Sequence, residues 1–78
     1  MKKWSNAEKL KVVQKAGELI VDEGWDEEKP LNALYWAHLY CLPAEKHSSR
    51  ADLLENSGKP DTILKSVANK VAKLKKAE

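Results

Sequence analysis

The feature that most constrains this fold is a twelve-residue apolar segment near the middle of the chain. Residues 31–42 read LNALYWAHLYCL, in which only Asn32 and His38 are clearly polar. Pro30 suits the first turn of a helix, because the N–H group that proline lacks would have no partner there. A helix that is apolar nearly all round is normally the buried centre of a bundle. This segment is far too short to span a membrane, which takes ~20 residues, so we predict a buried central helix over residues 30–42.

The clearest helix signal precedes this segment. Ser5 and Glu8 form an S-x-x-E capping box, which satisfies two exposed backbone donors at a helix start. Gly24 suits the left-handed residue that follows many helices, so the first helix is predicted over residues 6–23. Gly17 costs about 1 kcal/mol relative to alanine inside a helix, which predicts close packing by a neighbour. The apolar residues of this helix gather on one face: Leu10, Val12, Val13, Ala16, Leu19 and Ile20.

The third helix is predicted from weaker signals. Residues 44–56 have weak helical periodicity, in which Leu53 lies apart from the other apolar positions. Ser49 and Asp52 form a second helix start of the S-x-x-D type, which favours a shorter helix over residues 50–56. The sequence therefore leaves open whether the third helix is one piece or two.

A fourth helix is predicted after the breaker Ser-Gly-Lys-Pro at residues 57–60. The lysines of this helix lie on the side opposite its apolar residues. The apolar residues fall at a/d spacing and are Leu64, Val67, Val71 and Leu74. No stretch shows the alternation that is typical of strands. The predicted fold is therefore all-α, a compact bundle of about four helices in a single small domain over residues 1–78, with helices at approximately 6–23, 30–42, 44–56 and 61–76.

Length and composition limit the functions open to this chain. A domain this small buries only roughly 60% of its unfolded surface, so it has room for one core and one shallow site. The single cysteine cannot form a disulfide within the chain, which favours a reducing, cytoplasmic setting. No apolar stretch is long enough for a membrane span, and the basic N-terminal residues are not followed by the apolar region of a signal peptide. We therefore expect no enzymatic activity, no cofactor and no membrane association.

The net charge of +2, from 14 basic and 12 acidic residues, is close to neutral but unevenly distributed. Five acids lie between Asp22 and Glu28, whereas residues 61–78 contain five lysines and two acids. The overall charge does not indicate a protein dedicated to binding nucleic acid. The basic C-terminal helix is nevertheless compatible with nucleic-acid binding.

His38, Cys41 and His47 form an H-x2-C-x5-H run of residues that bind zinc well. A structural zinc site takes four ligands, and the chain has no other cysteine or histidine. The favoured interpretation is that Cys41 is a small buried residue and His38 a hydrogen-bonded core residue. Cys–His catalysis is also disfavoured, because burial in an apolar segment raises the pKa of a thiol. We predict no metal site and no catalytic residues.

The five aromatic residues include no phenylalanine, so each carries a polar atom that needs a partner when buried. On a helical wheel Trp36 and Tyr40 share one side of the second helix with Ala33. They either form an exposed binding patch or pack against the first helix near Gly17. Trp4, just outside the first helix, is expected to fold back over its first turn.

The leading hypothesis is a small protein–protein interaction or regulatory module whose partner is another protein. Trp25 lies among acidic residues and would dock a basic partner, because aromatic side chains are favoured anchors of interfaces. The competing interpretation is that these acids form a solvated connector. An exposed apolar patch is also compatible with a homodimer. The candidate partner-binding residues are Trp25, Asp26, Glu27, Trp36 and Tyr40.

The alternative hypothesis is a DNA- or RNA-binding module that uses the lysine-rich C-terminal helix. Residues 49–73 have the helix–break–helix outline of a helix-turn-helix motif, although the break is longer than that motif's compact turn. The chain has one arginine, the residue type that reads guanine through two hydrogen bonds. A solvated outer face is the competing interpretation of the lysines. The candidate nucleic-acid-binding residues are Arg50, Thr62, Lys65, Asn69, Lys73 and Lys76.

Overall fold

Residues 3–56 and 60–77 are described by the computed structural model, and within them the chain forms four α-helices. These parts of the chain contain no strand, which confirms the prediction of an all-α bundle. Residues 57–59 of the predicted breaker lie outside the described residues. The helices are α1 (Asn6–Val21), α2 (Pro30–Cys41), α3 (Arg50–Asn56) and α4 (Pro60–Ala77), with a 3-10 turn at Ala44–Lys46.

α1 begins at the predicted capping box. The Glu8 amide donates to Ser5 Oγ at 3.2 Å, and the Ser5 amide donates to Glu8 Oε1 at 2.7 Å. At the other end Gly24 has a φ of +75°, a left-handed conformation that glycine adopts without steric cost. α1 ends two residues before the predicted boundary, because the chain turns there and the Trp25 amide bonds back to the Leu19 carbonyl at 3.1 Å.

The chain after α2 forms two pieces, a 3-10 turn and α3. α3 begins after Ser49, whose hydroxyl accepts a hydrogen bond from the Asp52 amide at 3.3 Å. The shorter predicted helix over residues 50–56 is therefore confirmed, and a continuous helix over residues 44–56 does not form. Leu53, which the sequence set apart from the other apolar positions, is fully buried, because α3 packs between the core faces of α2 and α4.

α4 runs parallel to α1, and Gly17 sets the distance between them. A Cβ atom placed on Gly17 would lie 2.8 Å from Cγ of Lys70 and 3.2 Å from Cδ1 of Leu74. Both distances are shorter than ordinary contact between carbon atoms, so a side chain at this position would displace the side chains of Lys70 and Leu74. The close packing predicted at Gly17 is confirmed, and the close neighbour is α4 rather than Trp36 or Tyr40.

The core is made by one face of each helix, and α1 packs extensively against both α2 and α4. α2 is not buried all round as predicted, because the bundle covers only one of its faces. Trp36 and Tyr40 are exposed, and Ala33, which the helical wheel placed beside them, is buried. α4 buries Ile63 more fully than Leu64. The buried apolar side chains are Trp4, Val12, Val13, Ala16, Leu19, Ile20, Ala33, Leu34, Ala37, Leu42, Leu53, Ile63, Val67 and Val71.

A half-buried ion pair joins the 3-10 turn to the start of α1. Lys46 Nζ lies 2.6 Å from Glu8 Oε1. This hydrogen bond from Lys46, with a second one from the Ser5 amide, holds the pKa of the Glu8 carboxyl below its ordinary value. Glu8 therefore caps α1 and also anchors the segment that follows α2.

Candidate functional site

The most completely buried polar side chain lies at the centre of the run that resembled a metal site. His38 is fully buried on α2, and both of its ring nitrogens have partners. Nε2 accepts a hydrogen bond from the Ser48 amide at 3.0 Å, and Nδ1 is hydrogen-bonded to the Tyr35 carbonyl. Because an amide N–H can only donate and a carbonyl can only accept, these partners assign a neutral ring with its proton on Nδ1. Burial lowers the pKa of His38, which favours the same neutral form.

The other two members of the run are also engaged within the chain. His47 Nε2 donates to the Leu42 carbonyl at 2.9 Å, and the Cys41 thiol donates to the Lys11 carbonyl at 3.7 Å. No three His, Cys, Asp or Glu side chains in the described ranges are grouped so that they could hold a metal ion. Burial raises the pKa of the Cys41 thiol, which disfavours the thiolate that nucleophilic catalysis needs. The geometry supports structural roles for these residues.

Three rings surround the imidazole of His38. Trp4 stacks on it with the ring centroids 5.7 Å apart, Tyr35 lies at 5.2 Å, and His47 lies at 5.5 Å. Trp4 is buried, and its indole Nε1 has no hydrogen-bond partner among the described residues. The sequence predicted Trp4 over the first turn of α1 but not its contact with His38, because no local pattern links two positions so far apart. We call Trp4, Tyr35, His38 and His47 the ring cluster.

The acidic connector between α1 and α2 is exposed and makes several contacts with its own chain. Trp25 is half-buried and packs against the core. Asp26 Oδ1 accepts a hydrogen bond from the Glu28 amide at 2.9 Å. Both carboxylate oxygens of Glu27 accept from Lys75 Nζ at 2.9 Å, so the acidic connector meets the basic end of α4. Asp26 and Glu27 are nevertheless exposed, so their role in binding a partner stays a prediction.

Trp36 and Tyr40 lie one turn apart on the outer side of α2, with 39% and 64% of their surface exposed. The Trp36 ring meets the Tyr35 ring edge-on, with centroids 5.8 Å apart. The Lys15 ammonium lies 5.6 Å from the centre of the Tyr40 ring. We call Trp36 and Tyr40 the aromatic face.

Arg50 is held against α2. Its guanidinium lies 4.8 Å above the Tyr35 ring, and Nη2 donates to Asn32 Oδ1 at 2.9 Å. The other predicted nucleic-acid-binding residues, all on α4, are exposed: Thr62, Lys65, Asn69, Lys73 and Lys76. Arg50 therefore already has partners, whereas α4 presents its polar side chains to solvent.

A groove that the sequence did not predict runs between α1 and α4. It consists of two adjoining depressions of about 370 and 280 Å³, which share Leu10, Val13 and Ser66. Leu10 was assigned to the buried face of α1, but 71% of its surface is exposed, because it lies at the edge of that face. We call this surface the α1–α4 groove. Its lining includes Lys9, Leu10 and Val13 on α1 and Ile63, Lys70 and Lys73 on α4, together with uncharged polar side chains of both helices.

Comparison with known protein families, with curated protein sequences and with solved structures finds no match. No described helix is both long and apolar enough to cross a membrane.

The sequence offered the exposed aromatic face as one of two alternatives for Trp36 and Tyr40, and it gave no indication of the groove. Thr62, Asn69 and Lys73 were recognised as exposed polar residues of the fourth helix, and they do line the groove. Their position opposite Leu10 follows from the parallel packing of α1 and α4. The one relevant signal in the sequence is Gly17, which indicates a close neighbour without indicating which helix provides it.

Proposed function

We propose that this protein is a non-enzymatic protein–protein interaction or regulatory module that binds a partner protein through the aromatic face. The observation that carries the proposal is the exposure of Trp36 and Tyr40, at 39% and 64%. Tryptophan and tyrosine are enriched among the residues that dominate binding energy, because they bury a large area with few rotatable bonds. The cytoplasmic setting inferred from the single cysteine is part of this proposal.

The charges around the aromatic face favour a partner with an apolar pocket and an acidic rim. Lys15 lies over Tyr40, and Arg50 lies over Tyr35, which contacts Trp36. Opposite charges across an interface orient the partners and suppress wrong ones. This chemistry differs from the basic partner first considered for the acidic connector.

A nucleic-acid-binding function is the second candidate, and the exposed polar residues of α4 favour it. Lys65, Asn69, Lys73 and Lys76 offer phosphate contacts along one helix. Arg50 supports it less, because Asn32 and Tyr35 already hold the guanidinium. Under the leading proposal, duplex DNA and single-stranded RNA should give no salt-sensitive shift in a gel at low salt.

Affinity capture with paired variants tests the aromatic face. We expect the double variant Trp36→Ser/Tyr40→Ser to keep the circular dichroism spectrum of the wild type, because both rings are exposed. A partner captured by the wild type and then purified should bind this variant at least about tenfold more weakly in calorimetry. The matched control is Lys65→Ser, which shortens an exposed side chain outside both the aromatic face and the α1–α4 groove and should bind normally.

Two results would overturn the proposal. The first is that no protein depends on Trp36 and Tyr40 for its capture while the double variant remains folded. The second is self-association of the wild type in sedimentation that the double variant loses, since this would identify a second copy of the chain as the partner.

A further inference from the structure

We infer that the α1–α4 groove is a docking site for a short, acidic, amphipathic helix of a partner protein. The groove is lined by other residues than the aromatic face, so this inference goes beyond the proposed function and does not depend on it.

The shape of the groove suits one short helix. It extends along α4 from Thr62 to Lys73, a distance of about 16 Å at the rise of an α-helix. Such a length matches an occupant of about two to three turns. The parallel packing at Gly17 holds the two walls together, so the groove is present before a partner arrives.

The floor of the groove requires an apolar occupant. Leu10 is 71% exposed, and it lines the groove together with Val13 and Ile63, whose side chains are almost completely buried. Helices that dock into grooves insert apolar residues at i, i+3 or i+4, and i+7. Covering Leu10 and the edges of Val13 and Ile63 in this way removes apolar surface from water.

The rim of the groove requires an acidic occupant. Lys9, Lys70 and Lys73 line it, and no Asp or Glu lines it among the described residues. Two lysines elsewhere have carboxylate partners, Lys46 with Glu8 and Lys75 with Glu27, whereas the described lining of the groove offers no carboxylate to its lysines. A partner helix with Asp and Glu beside its apolar stripe would supply the missing charge.

The same positive rim would attract nucleic acid, but the floor argues against it. Grooves that bind single strands stack bases on aromatic side chains, and grooves that read a duplex sequence often use arginine at base edges. The described lining of the groove contains neither residue type. A leucine floor with a lysine rim fits an amphipathic peptide better.

The test uses a designed probe, because the natural partner is not identified. The probe is a fluorescent helical peptide of about twelve residues, with leucines at i, i+3 and i+7 and glutamates on the flanking positions. The reference probe has the same composition with its leucines scattered round the helix. We expect saturable binding of the first probe, at least about tenfold tighter than the second in fluorescence anisotropy. Amide signals of Leu10, Val13 and Ile63 should shift in NMR spectra.

Matched charge reversals locate the site. Lys73→Glu should weaken probe binding about fivefold or more, because it places a like charge beside the glutamates. Lys65→Glu reverses an exposed lysine on the same helix outside the groove, so it should change binding less than about twofold. Leu10→Ser should also weaken binding, whereas Trp36→Ser/Tyr40→Ser should leave it unchanged.

Three outcomes would overturn the inference: no difference between the two probes, equal loss with Lys65→Glu and Lys73→Glu, or an oligonucleotide that displaces the peptide from the groove. The last outcome would assign the groove to nucleic acid. None of the three changes the test of the aromatic face, so the two proposals fail separately.

Discussion

At the scale of single residues, His38 shows how burial and hydrogen bonding separate a structural histidine from a metal ligand. One ring nitrogen accepts from the Ser48 amide and the other donates to the Tyr35 carbonyl, so neither has a lone pair free for a metal ion. The sequence predicted that His38 is a hydrogen-bonded core residue, and the structure confirms it. The partners were beyond prediction, because Ser48 is brought to the ring by a turn with no regular pattern.

Trp4 provides the first residue-scale prediction. Its ring stacks on His38, while its indole N–H is buried without a partner, which costs about 1–3 kcal/mol. We expect Trp4→Phe to keep the stacking and remove the unpaired donor, so the free energy of unfolding should change by less than about 1 kcal/mol. Trp4→Ala should lower it by about 3–5 kcal/mol, because it leaves a cavity beside His38.

Urea denaturation followed by circular dichroism gives both values. Equal losses for the two Trp4 variants would show that the N–H group is satisfied, for example by water, and that it stabilises the fold. The Trp36→Phe variant is a control for replacing an indole by a phenyl ring where the side chain is partly exposed.

At the scale of helices, local sequence signals predicted where a helix begins better than they predicted which of its sides is buried. The capping residues Ser5 and Ser49 act within a few residues of themselves, and both helix starts were predicted correctly. α2 was harder, because a helix that is apolar nearly all round gives no signal for which side the bundle will cover. Its small residues, such as Ala33, face the core, and its large Trp36 and Tyr40 face solvent.

Gly17 provides the prediction for a pair of helices. Alanine has a higher helix propensity than glycine by about 1 kcal/mol, but its Cβ would lie 2.8 Å from Cγ of Lys70. We expect Gly17→Ala to lower the free energy of unfolding by about 1 kcal/mol, because overpacking outweighs propensity. In the Lys70→Ala background the clashing Cγ is absent, so the same change should be neutral or stabilising.

A double-mutant cycle by urea denaturation measures this coupling. If Gly17→Ala destabilises both backgrounds equally, then the contact of Leu74 with the added Cβ, at 3.2 Å, rather than that of Lys70, limits the approach of α4.

At the scale of the whole molecule, oppositely charged segments that are distant in the sequence are brought together by the fold. The acidic connector and the basic end of α4 meet at Glu27 and Lys75, which are at separate places in the sequence. The uneven charge distribution was readable from the sequence, but this pairing depends on α4 running parallel to α1. The same arrangement creates the α1–α4 groove. Local sequence patterns therefore could not predict either the Glu27–Lys75 pair or the groove.

The ring cluster joins three parts of the molecule, and its titration should affect the stability of the whole. His38 on α2 contacts Trp4 before α1, Tyr35 on its own helix, and Ser48 and His47 beyond the 3-10 turn. Burial lowers the pKa of His38 below its ordinary value of 6.5, so the unfolded chain binds a proton that the folded chain resists. The contribution of His38 to the free energy of unfolding is therefore constant above about pH 6.5, and it falls as the pH decreases below that value.

His38→Gln tests this dependence, because glutamine stays neutral and its side-chain oxygen can accept from the Ser48 amide. We expect the variant to lose about 1–3 kcal/mol of unfolding free energy at neutral pH and to lack the decline that begins at pH 6.5 in the wild type. The decline below pH 4.5, where protonation of Glu8 breaks its contact with Lys46, should remain. His47→Gln should keep most of the first decline, since burial is the larger cause of the lowered pKa of His38. Urea denaturation at a series of pH values measures all three proteins, and an unchanged decline in His38→Gln would assign the dependence to another group.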